Sequence, residues 1–460
     1  MHKTAKTYYF LIFTVWTISS GVQGADEVPA DTISFIRQVA PILVGKCESC
    51  HGKKTAESNY RVDSFELFMQ AGDYESPPIT ANDLDDSEVH RLIVSEDADE
   101  RMPNNGDQLS TTEIQILESW IQQGATFDGH DPQAPLRGQI PHVTNPAAPD
   151  TYPAPLPITA ATFSPDGKQL IVGGYHELLV WDPENAKLLE RITDIPQRTY
   201  AVAISPDGKY LAVAGGASGV SGEVQLIPWQ DGKKADAPTK YLASHSDVFF
   251  SVAFCPDSQQ LAATCSDGSI RLFEVATGAE QLKIDNHSDW VTSVCYSADG
   301  KRLASSSRDK TAKAFDAESG DLLATYSGHG ATVRAVAFVP DGTQVISAGG
   351  NKVRVWNIED SKLIGDMAGF TGDVYSLIRD GEAVVATSAD RTARQFNLAD
   401  RKQTKLFADH PNWVLSLAWH SASKRICTGC FDGAVSLWNS EDGALIKRFI
   451  AVPTEPEAGN

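Results

Sequence analysis

The sequence is poor in cysteine and in long apolar runs. Its 460 residues include seven cysteines. So few cysteines in a chain of this length exclude a small domain held together by a dense disulfide framework. Beyond residue 24, no apolar stretch approaches the roughly 20 residues that a helix needs to span a bilayer. The sequence therefore predicts no integral membrane segment after that point.

Basic residues are also few relative to acidic ones. Lys and Arg number 39 against 60 Asp and Glu, which gives a formal net charge of -21 and a pI near 4.9. Such a surface repels phosphate backbones and anionic lipid, so nucleic-acid binding and polybasic membrane docking are disfavoured. The apolar fraction of 42% and the length together indicate a water-soluble chain with two or more domains.

The first 24 residues have the pattern of a secretory signal peptide. Lys3 and Lys6 precede the apolar stretch 8–19, and the small-residue sequence 22–24 precedes Ala25. We therefore predict that residues 1–24 are removed and that the protein is exported to the periplasm or cell envelope. An uncleaved amino-terminal anchor is the alternative.

Residues 25–131 are strongly acidic and helical in pattern. Between positions 26 and 137 the chain has 22 acids and eight bases. Apolar spacing predicts a helix over 32–44, which Pro41 should bend or terminate. A capping sequence at 109–113 predicts the start of a second helix. The Pro-rich stretch 132–157 that follows predicts an extended, semi-rigid linker.

A C-x-x-C-H element occupies residues 47–51. On one helical turn, thiols three residues apart face the same side and can form thioethers with the two haem vinyl groups. The next imidazole then reaches the iron. We predict one covalent haem c at Cys47 and Cys50, with His51 as an axial ligand.

Three other structures for this element are a redox dithiol, a structural disulfide and half of a zinc site. A zinc site requires further Cys or His ligands nearby. The histidines available for that purpose are His90, His130 and His142.

The second axial position has three candidate ligands, Met69, His90 and Met102. Met102 lies in a loop ahead of the second predicted helix, so it can approach the iron from the face opposite His51. Met69 follows the apolar stretch 65–68 and is predicted to be a core residue. Met102 is therefore the preferred ligand.

Four segments, 35–43, 46–51, 99–103 and 119–125, resemble the planctomycete-type cytochrome c domain. The resemblance spans about 33–127. It implies that Met102 is the axial ligand and that Trp120 packs behind the haem. The chain departs from the family pattern at Asn104, where a second proline is usual.

An internal repeat dominates the sequence beyond the linker. Turn quartets such as SPDG recur at intervals of 41, 50, 42 and 42 residues. Each quartet lies between two short apolar strands. In four units a histidine precedes an Asp or Asn by 22 residues. These histidines are His245, His287, His329 and His410.

The repeats resemble the WD40 family, which has a His before the first strand, a PDG-like turn, and an Asp before a strand that ends in Trp or Phe. The resemblance covers 158–453, with 454–460 as a tail, and implies an all-β propeller of seven blades. The expected fold class is multidomain, with a small all-α c-type cytochrome domain followed by an all-β seven-bladed WD40 propeller. The sequence alone does not indicate how the ring closes.

The polar residues of the repeats are predicted to be structural, because a catalytic site would not be copied four times with identical spacing. A second C-x-x-C, at Cys427 and Cys430, falls on a predicted strand. Residues three apart on a strand point to opposite faces, so these thiols are expected to be buried and free.

A partner-docking face is predicted three residues beyond the histidine position of each unit. In three units this position is Arg198, Trp290 or Trp413. Tryptophan and arginine are typical of interface hot spots. Packing between neighbouring blades is the alternative for the two tryptophans.

Together these features predict an exported monohaem c-type cytochrome that transfers electrons, with the propeller as a docking module for a redox partner protein. An electron carrier is favoured over a catalyst because His and Met ligands fill both iron positions. The alternatives are a haem enzyme or a redox sensor with an open or labile sixth iron position, and a propeller that is itself catalytic.

Overall fold

The structure is a computed structural model that describes residues 32–52, 55–73, 76–104, 108–141, 144–245 and 247–454. The predicted signal peptide, residues 1–24, and all but the first residue of the predicted tail lie outside the described residues. No helix within the described part of the chain is long and apolar enough to cross a membrane.

The amino-terminal domain is helical. Its first helix (35–51) is built from four consecutive elements, Phe35–Val39, Ala40–Ile42, Leu43–Cys47 and Glu48–His51. The second helix is Phe65–Phe68, the third is Glu88–Ile93 and the fourth is Thr111–Gln122. Short 3-10 turns lie at Glu57–Asn59 and Leu136–Gly138.

The first helix continues through Pro41, so the prediction that this proline terminates it is wrong. The turns on either side, Phe35–Val39 and Leu43–Cys47, are wider than α-helical turns and form hydrogen bonds five residues apart. These wide turns accommodate the proline ring, which would clash with a carbonyl in a regular helix. The helix therefore reaches the C-x-x-C-H element without a break.

Aromatic rings form the core of the helical domain. Phe35 and Phe68 lie 5.3 and 5.9 Å from the Trp120 ring, centroid to centroid. Trp120 is 1% exposed and its indole N–H donates to the Thr126 carbonyl at 2.9 Å. This core fixes the fourth helix against the first.

The carboxy-terminal domain consists of antiparallel strands. Strands β1 to β8 form one eight-stranded sheet. In chain order they are β1 Ala161–Phe163, β2 Leu170–Gly173, β3 Tyr175–Asp182, β4 Lys187–Ile204, β5 Tyr210–Ala217, β6 Ser221–Gln230, β7 Lys233–Lys234 and β8 Lys240–His245.

Five four-stranded sheets follow. The first two contain β9 Phe249–Phe254, β10 Gln260–Cys265, β11 Ser269–Glu274, β12 Glu280–Asp285, β13 Val291–Tyr296, β14 Arg302–Ser307, β15 Ala312–Asp316 and β16 Leu322–Tyr326. The third contains β17 Val333–Phe338, β18 Gln344–Gly349, β19 Lys352–Asn357 and β20 Leu363–Met367. The last two contain β21 Val374–Asp380, β22 Ala383–Ser388, β23 Ala393–Asn397, β24 Gln403–Phe407, β25 Val414–His420, β26 Arg425–Cys430, β27 Ala434–Asn439 and β28 Leu445–Ile450.

The innermost strands contact one another in a circle, in the order β1, β4, β9, β13, β17, β21 and β25, with β25 returning to β1. The expected small helical domain followed by antiparallel β-sheet repeats is therefore confirmed.

The ring closes through hydrogen bonds between its two ends. Ser416 donates to the Ile158 carbonyl at 2.7 Å, and the Ile158 N–H donates to the Cys430 carbonyl at 3.0 Å. The Tyr152 N–H donates to the Pro453 carbonyl at 2.7 Å. The chain before β1 and the chain after β28 thus both take part in closure.

The described parts of the predicted linker, residues 132–141 and 144–157, pack against both domains. Leu136 is fully buried in the core of the helical domain, whereas Tyr152 is 2% exposed in the core of the β domain. The phenol of Tyr152 bonds to the buried carboxylate of Glu177, which also accepts two hydrogen bonds from Arg191 at 2.6 and 2.8 Å. This segment therefore holds the two domains together over a short span of chain.

Candidate functional site

An apolar crevice opens in the helical domain beside the C-x-x-C-H element. Its empty volume is about 730 Å³ when the space open to solvent is counted. Its walls come from the first three helices and the intervening loops. The apolar lining includes Leu43, Val62, Phe68, Val89, Leu92 and Ile93. Such a lining excludes water from a bound ligand.

His51 lines this crevice at the end of the first helix. Its Nδ1 lies 3.1 Å from the Glu57 carbonyl oxygen. An Nδ1–H that donates to this carbonyl leaves the lone pair of Nε2 free to bind a metal. The Glu57–Asn59 turn therefore sets the orientation and tautomer that a metal-ligating imidazole requires.

The two cysteines of the element differ in environment. Cys47 lines the crevice and is half-buried, whereas Cys50 is exposed. Burial, with smaller contributions from Cys50 and Glu113, raises the pKa of the Cys47 thiol to about 12. A thiol with such a pKa stays protonated at neutral pH, which disfavours a reactive dithiol.

Met102 lines the same crevice as His51. Its backbone N–H donates to the Leu92 carbonyl at 3.1 Å, so the loop is attached to the third helix. The structure thus brings together three of the predicted haem-site residues, Cys47, His51 and Met102, and Cys50 lies on the same helix as two of them.

The other candidate ligands are placed elsewhere. Met69 follows the second helix and packs against the domain core. Both ring nitrogens of His90 have partners, since Nδ1 lies 3.1 Å from the Leu84 carbonyl and Nε2 lies 3.1 Å from a Glu118 carboxylate oxygen. His90 therefore links the third helix to the fourth.

The residues of the crevice fit a haem. An imidazole and a thioether are both iron ligands, the two cysteines are spaced for thioether bonds, and the walls suit an apolar macrocycle. Sequence reasoning missed Tyr60, which lines the crevice and donates to the Phe68 carbonyl at 2.9 Å. The alternation of Tyr60 and Val62 just after the element could have indicated this wall. Trp120 stacks behind Phe68, which itself lines the crevice.

Two of the predicted docking residues, Trp290 and Trp413, lie at equivalent positions of the β domain, each directly before an inner strand. The backbone carbonyls of Trp290 and Trp413 accept N–H groups from Arg308 and Phe431, each at 2.9 Å. Trp290 is half-buried, with the Arg308 guanidinium 4.6 Å above its ring. The Phe250 ring, on β9 of the preceding sheet, lies 5.3 Å from the Trp290 ring, centroid to centroid. Trp290 thus contributes both to packing between sheets and to the surface.

Trp413 is 45% exposed. Its ring lies 5.5 Å from Phe431 and 6.4 Å from Tyr375. The Arg334 guanidinium lies 5.0 Å above the Tyr375 ring. Sequence reasoning missed both aromatic neighbours of Trp413. Tyr375 lies at the start of β21, and Phe431 lies in the turn after β26. Arg198 is exposed on β4.

Three of the four repeated histidines, His287, His329 and His410, have buried side chains that form hydrogen bonds inside the sheets, whereas the His245 side chain is 24% exposed. His287 bonds to Asp309 at 2.8 Å and to Ser305 at 2.7 Å. His329 bonds to Ser347 at 2.8 Å, and His410 bonds to Thr428 at 2.9 Å. Burial lowers the pKa values of His329 and His410 to about 4. Burial also lowers the pKa of His287, so His287, His329 and His410 are neutral structural groups at physiological pH.

Cys427 and Cys430 are both free and fully buried. They lie on β26 and belong to different core clusters, because strand residues three apart face opposite sides. They therefore do not share a ligand.

Two family models match the chain. The Planctomycete cytochrome C model matches residues 47–106, a range that contains the C-x-x-C-H element and Met102. The WD domain, G-beta repeat model matches four segments, 237–274, 278–316, 320–357 and 401–439. Both resemblances predicted from the sequence are thereby confirmed.

Curated proteins that are similar to this chain match it over short regions. The Periodic tryptophan protein 2 homolog of Schizosaccharomyces pombe is 30% identical over 94 residues, which are 20% of this chain and 11% of that protein. The Protein LST8 homolog of Drosophila melanogaster is 27% identical over 120 residues, 26% of this chain and 38% of that protein. The Intraflagellar transport protein 122 homolog of Danio rerio is 34% identical over 111 residues, 24% of this chain and 8% of that protein. The chain spans less than two fifths of each of these relatives. The family models thus find a Planctomycete cytochrome C domain at 47–106 and four WD40 repeats within 237–439 of the same chain.

Proposed function

We propose that this protein is a monohaem c-type cytochrome that transfers electrons and that its β domain docks a redox partner protein. The observation that carries the proposal is the shared crevice, in which Cys47, His51 and Met102 line one apolar space. A haem held there supplies one-electron chemistry at its iron, between the ferrous and ferric states.

The residues in and beside the crevice have separate roles in this proposal. Cys47 and Cys50 would hold the haem covalently, and His51 and Met102 would bind its iron. The Glu57 carbonyl orients the His51 imidazole from 3.1 Å. The apolar walls keep water away from the haem, which lowers the solvent reorganisation energy of each change in iron charge. With both axial positions filled, electron transfer is favoured over substrate activation.

We further propose that the β domain is a seven-bladed propeller. Its eight-stranded sheet corresponds to two blades that share β4, because the early part of β4 pairs with β3 and the later part pairs with β5. Seven inner strands then surround the central axis. The docking face comprises Arg198, Trp290 and Trp413, together with the aromatic neighbours of the two tryptophans.

Export to the periplasm or cell envelope completes the proposal. It is supported by the signal-like sequence 1–24 and by the C-x-x-C-H element, because c-type haem attachment takes place outside the cytoplasm. Amino-terminal sequencing of the protein recovered from an envelope fraction tests this part. A mature chain that begins at Ala25 supports export with cleavage, and full-length protein confined to the cytoplasm contradicts it.

Covalent haem is tested by expression in a host that has c-type maturation, followed by acid-acetone extraction and intact mass. We expect the colour to stay with the protein and the mass to increase by one haem. The variant with both Cys47→Ala and Cys50→Ala should lose both signals. The matched control, Cys427→Ala with Cys430→Ala, should keep them. Extractable colour in the wild-type protein would remove the assignment.

Carbon monoxide separates the carrier from a haem enzyme or a sensor. A ferrous iron with both axial positions filled does not bind the gas readily, whereas an open position does. We expect the visible spectrum of the reduced wild-type protein to be unchanged by carbon monoxide. Rapid binding would favour the enzyme or sensor instead.

A further inference from the structure

One arginine, Arg137, reaches from the helical domain to the β domain. Its backbone is held on the helical side, because the adjacent Leu136 is fully buried in that core. The Leu136 N–H also donates to the Asp63 carbonyl at 2.9 Å. The Arg137 side chain therefore extends from a fixed point.

The Arg137 guanidinium has three partners. Its Nε lies 2.9 Å from a Glu48 carboxylate oxygen, and Nη2 lies 3.5 Å from a Glu280 carboxylate oxygen. Nη1 donates to the Leu242 carbonyl at 3.1 Å. The side chains of Arg137, Glu48 and Glu280 are 15%, 13% and 9% exposed. A planar guanidinium with several donors is suited to bridging such groups.

The position of Glu48 gives this bridge its significance. Glu48 lies between Cys47 and Cys50 in the haem-attachment element. The helical turn Glu48–His51 packs against β12, the strand that begins at Glu280. The part of the chain that would carry the haem is thus the part that meets the β domain.

The charges explain why a cation is needed at this contact. The helical region 26–137 has 22 acids and only eight bases, and Arg137 is one of the eight. The contact brings together two mostly buried carboxylates, one from each domain. Arg271 also lies near Glu280, at 3.5 Å, but it is bound more closely to Asp267, at 2.8 Å. Removing Arg137 would leave the two carboxylates to repel each other in a poorly solvated contact.

We propose that Arg137 is a positioning residue, which holds the haem-attachment turn against the β domain and so fixes the orientation of the haem relative to the docking face. The statement about the haem rests on the proposed function, whereas the bridge between the domains does not. A partner docked on the propeller would then meet the haem at a constant distance, which electron transfer requires.

The test measures the dipolar distance between the ferric haem iron and a nitroxide on the β domain of the full-length holoprotein. Lys168→Cys provides the label site, because this side chain is 82% exposed in the turn between β1 and β2. Cys295, a half-buried thiol of the β domain, is replaced by Ser in all samples. We expect a single narrow distance distribution in the protein that retains Arg137.

Arg137→Met should at least double the width of that distribution while the haem spectrum is unchanged. Arg137→Lys, which restores the charge but not the planar donor set, should recover part of the narrow peak. The matched control is Arg61→Met, since Arg61 pairs with Asp63 at 2.6 Å within the helical domain alone. It should leave the distribution as in the parent protein.

An unchanged distribution in Arg137→Met would overturn the proposal. If that variant does not fold, Glu280→Gln decides, because it removes the carboxylate partner on the β domain and leaves both the Glu48–Arg137 pair and the bond to the Leu242 carbonyl intact. A broader distribution supports the bridge, and an unchanged one rejects it.

Failure of the proposed function would appear separately, as a chain without covalent haem. In that case the iron is replaced by a second nitroxide at Glu66→Cys, an exposed position on the second helix, with Cys47→Ser and Cys50→Ser. The same criterion of width in Arg137→Met then decides whether Arg137 orients the two domains.

Discussion

Single residues would decide the chemistry of the proposed iron site. Met102 and Met69 are both half-buried in the helical domain, but only Met102 lines the crevice beside His51. The two methionines therefore form a natural pair for comparison, because both lose the same side chain on substitution with Ala.

Met102→Ala should open an iron position and lower the reduction potential. A thioether ligand stabilises ferrous iron, and axial ligands set haem potentials over about 0.8 V, so we expect a fall on the order of 0.1 V or more. Potentiometry and carbon monoxide binding measure the two effects. Met69→Ala should change neither. A variant at Met102 that keeps the wild-type potential would show that another group binds the iron.

The buried histidines should make stability depend on pH. The pKa values of His329 and His410 are lowered to about 4 by burial, against 6.5 for a free histidine. Between pH 6.5 and 4 the unfolded chain thus binds more protons than the folded one. The free energy of unfolding should therefore fall as the pH drops through this window. The loss at pH 4 is roughly 2 to 4 kcal/mol for each histidine. Above pH 6.5 these two histidines should have little effect on the free energy of unfolding.

Melting temperatures measured between pH 4 and 7 test this prediction. His410→Gln should flatten the decline between pH 6.5 and 4. His130→Gln, at an exposed position of the helical domain, should leave the decline unchanged. An equally steep decline in His410→Gln would show that other groups cause the acid sensitivity.

At the scale of elements, the fourth helix illustrates how local signals act. Ser110 accepts a hydrogen bond from the Glu113 N–H at 3.3 Å, and the Glu113 carboxylate accepts one from the Ser110 N–H at 2.6 Å. This capping box was evident in the sequence. It starts the helix that carries Trp120 into the core.

Ser110→Ala should destabilise the helical domain by about 1 kcal/mol, because it leaves the Glu113 N–H without its cap. Denaturant unfolding followed by the haem absorbance gives the value. Thr112→Ala, one residue inside the same helix, is the control and should have a smaller effect. Equal losses in the two variants would argue against the cap as the cause.

At the scale of the whole molecule, closure of the ring depends on a segment that the sequence places outside the repeats. Tyr152 bonds to the Glu177 carboxylate, which is fully buried, and its phenol oxygen accepts the Tyr175 N–H at 3.1 Å. Tyr152→Phe leaves these two groups without that partner. We expect the free energy of unfolding of the β domain to fall by about 1–3 kcal/mol. Unfolding monitored by tryptophan fluorescence measures this loss.

Tyr175→Phe is the control for closure, because its ring is 38% exposed and its hydroxyl accepts from Gln197 at the surface. This variant should be within about 0.5 kcal/mol of the wild type. Wild-type stability in Tyr152→Phe would mean that the Tyr152 phenol does not hold the ring closed.

The proposed docking face would also be a property of the whole molecule. Trp290→Ala and Trp413→Ala should each weaken capture of the redox partner by about 2 kcal/mol or more. Trp413→Ala should leave the melting temperature nearly unchanged, because this ring is 45% exposed. Pull-down from envelope extract beside melting curves gives both values. Leu445→Ala, equally exposed at 45% but on the outer strand β28, is the control.

A large drop in melting temperature with capture intact would assign both tryptophans to packing between sheets. This outcome is favoured more for Trp290 than for Trp413, because the Phe250 ring and the Arg308 guanidinium both lie against the Trp290 ring.

Local patterns in the sequence were sufficient to predict the C-x-x-C-H element at the end of a helix, the capped fourth helix, the repeats and the buried character of Cys427 and Cys430. Each depends on residues within a few positions of one another, where helical or strand periodicity sets which side chains share a face. The same spacing indicated His51 as a ligand, since it is the residue next to Cys50.

Only the tertiary structure decided which distant residues meet. Met102 reaches the crevice of His51 through a loop attached to the third helix, Arg137 bridges Glu48 and Glu280, and residues near Tyr152 close the ring. Pro41 remains inside a helix because wide turns on both sides accommodate it. These outcomes depend on packing between elements far apart in the chain, and the burial and charge that they create do not exist until the domains have folded against each other.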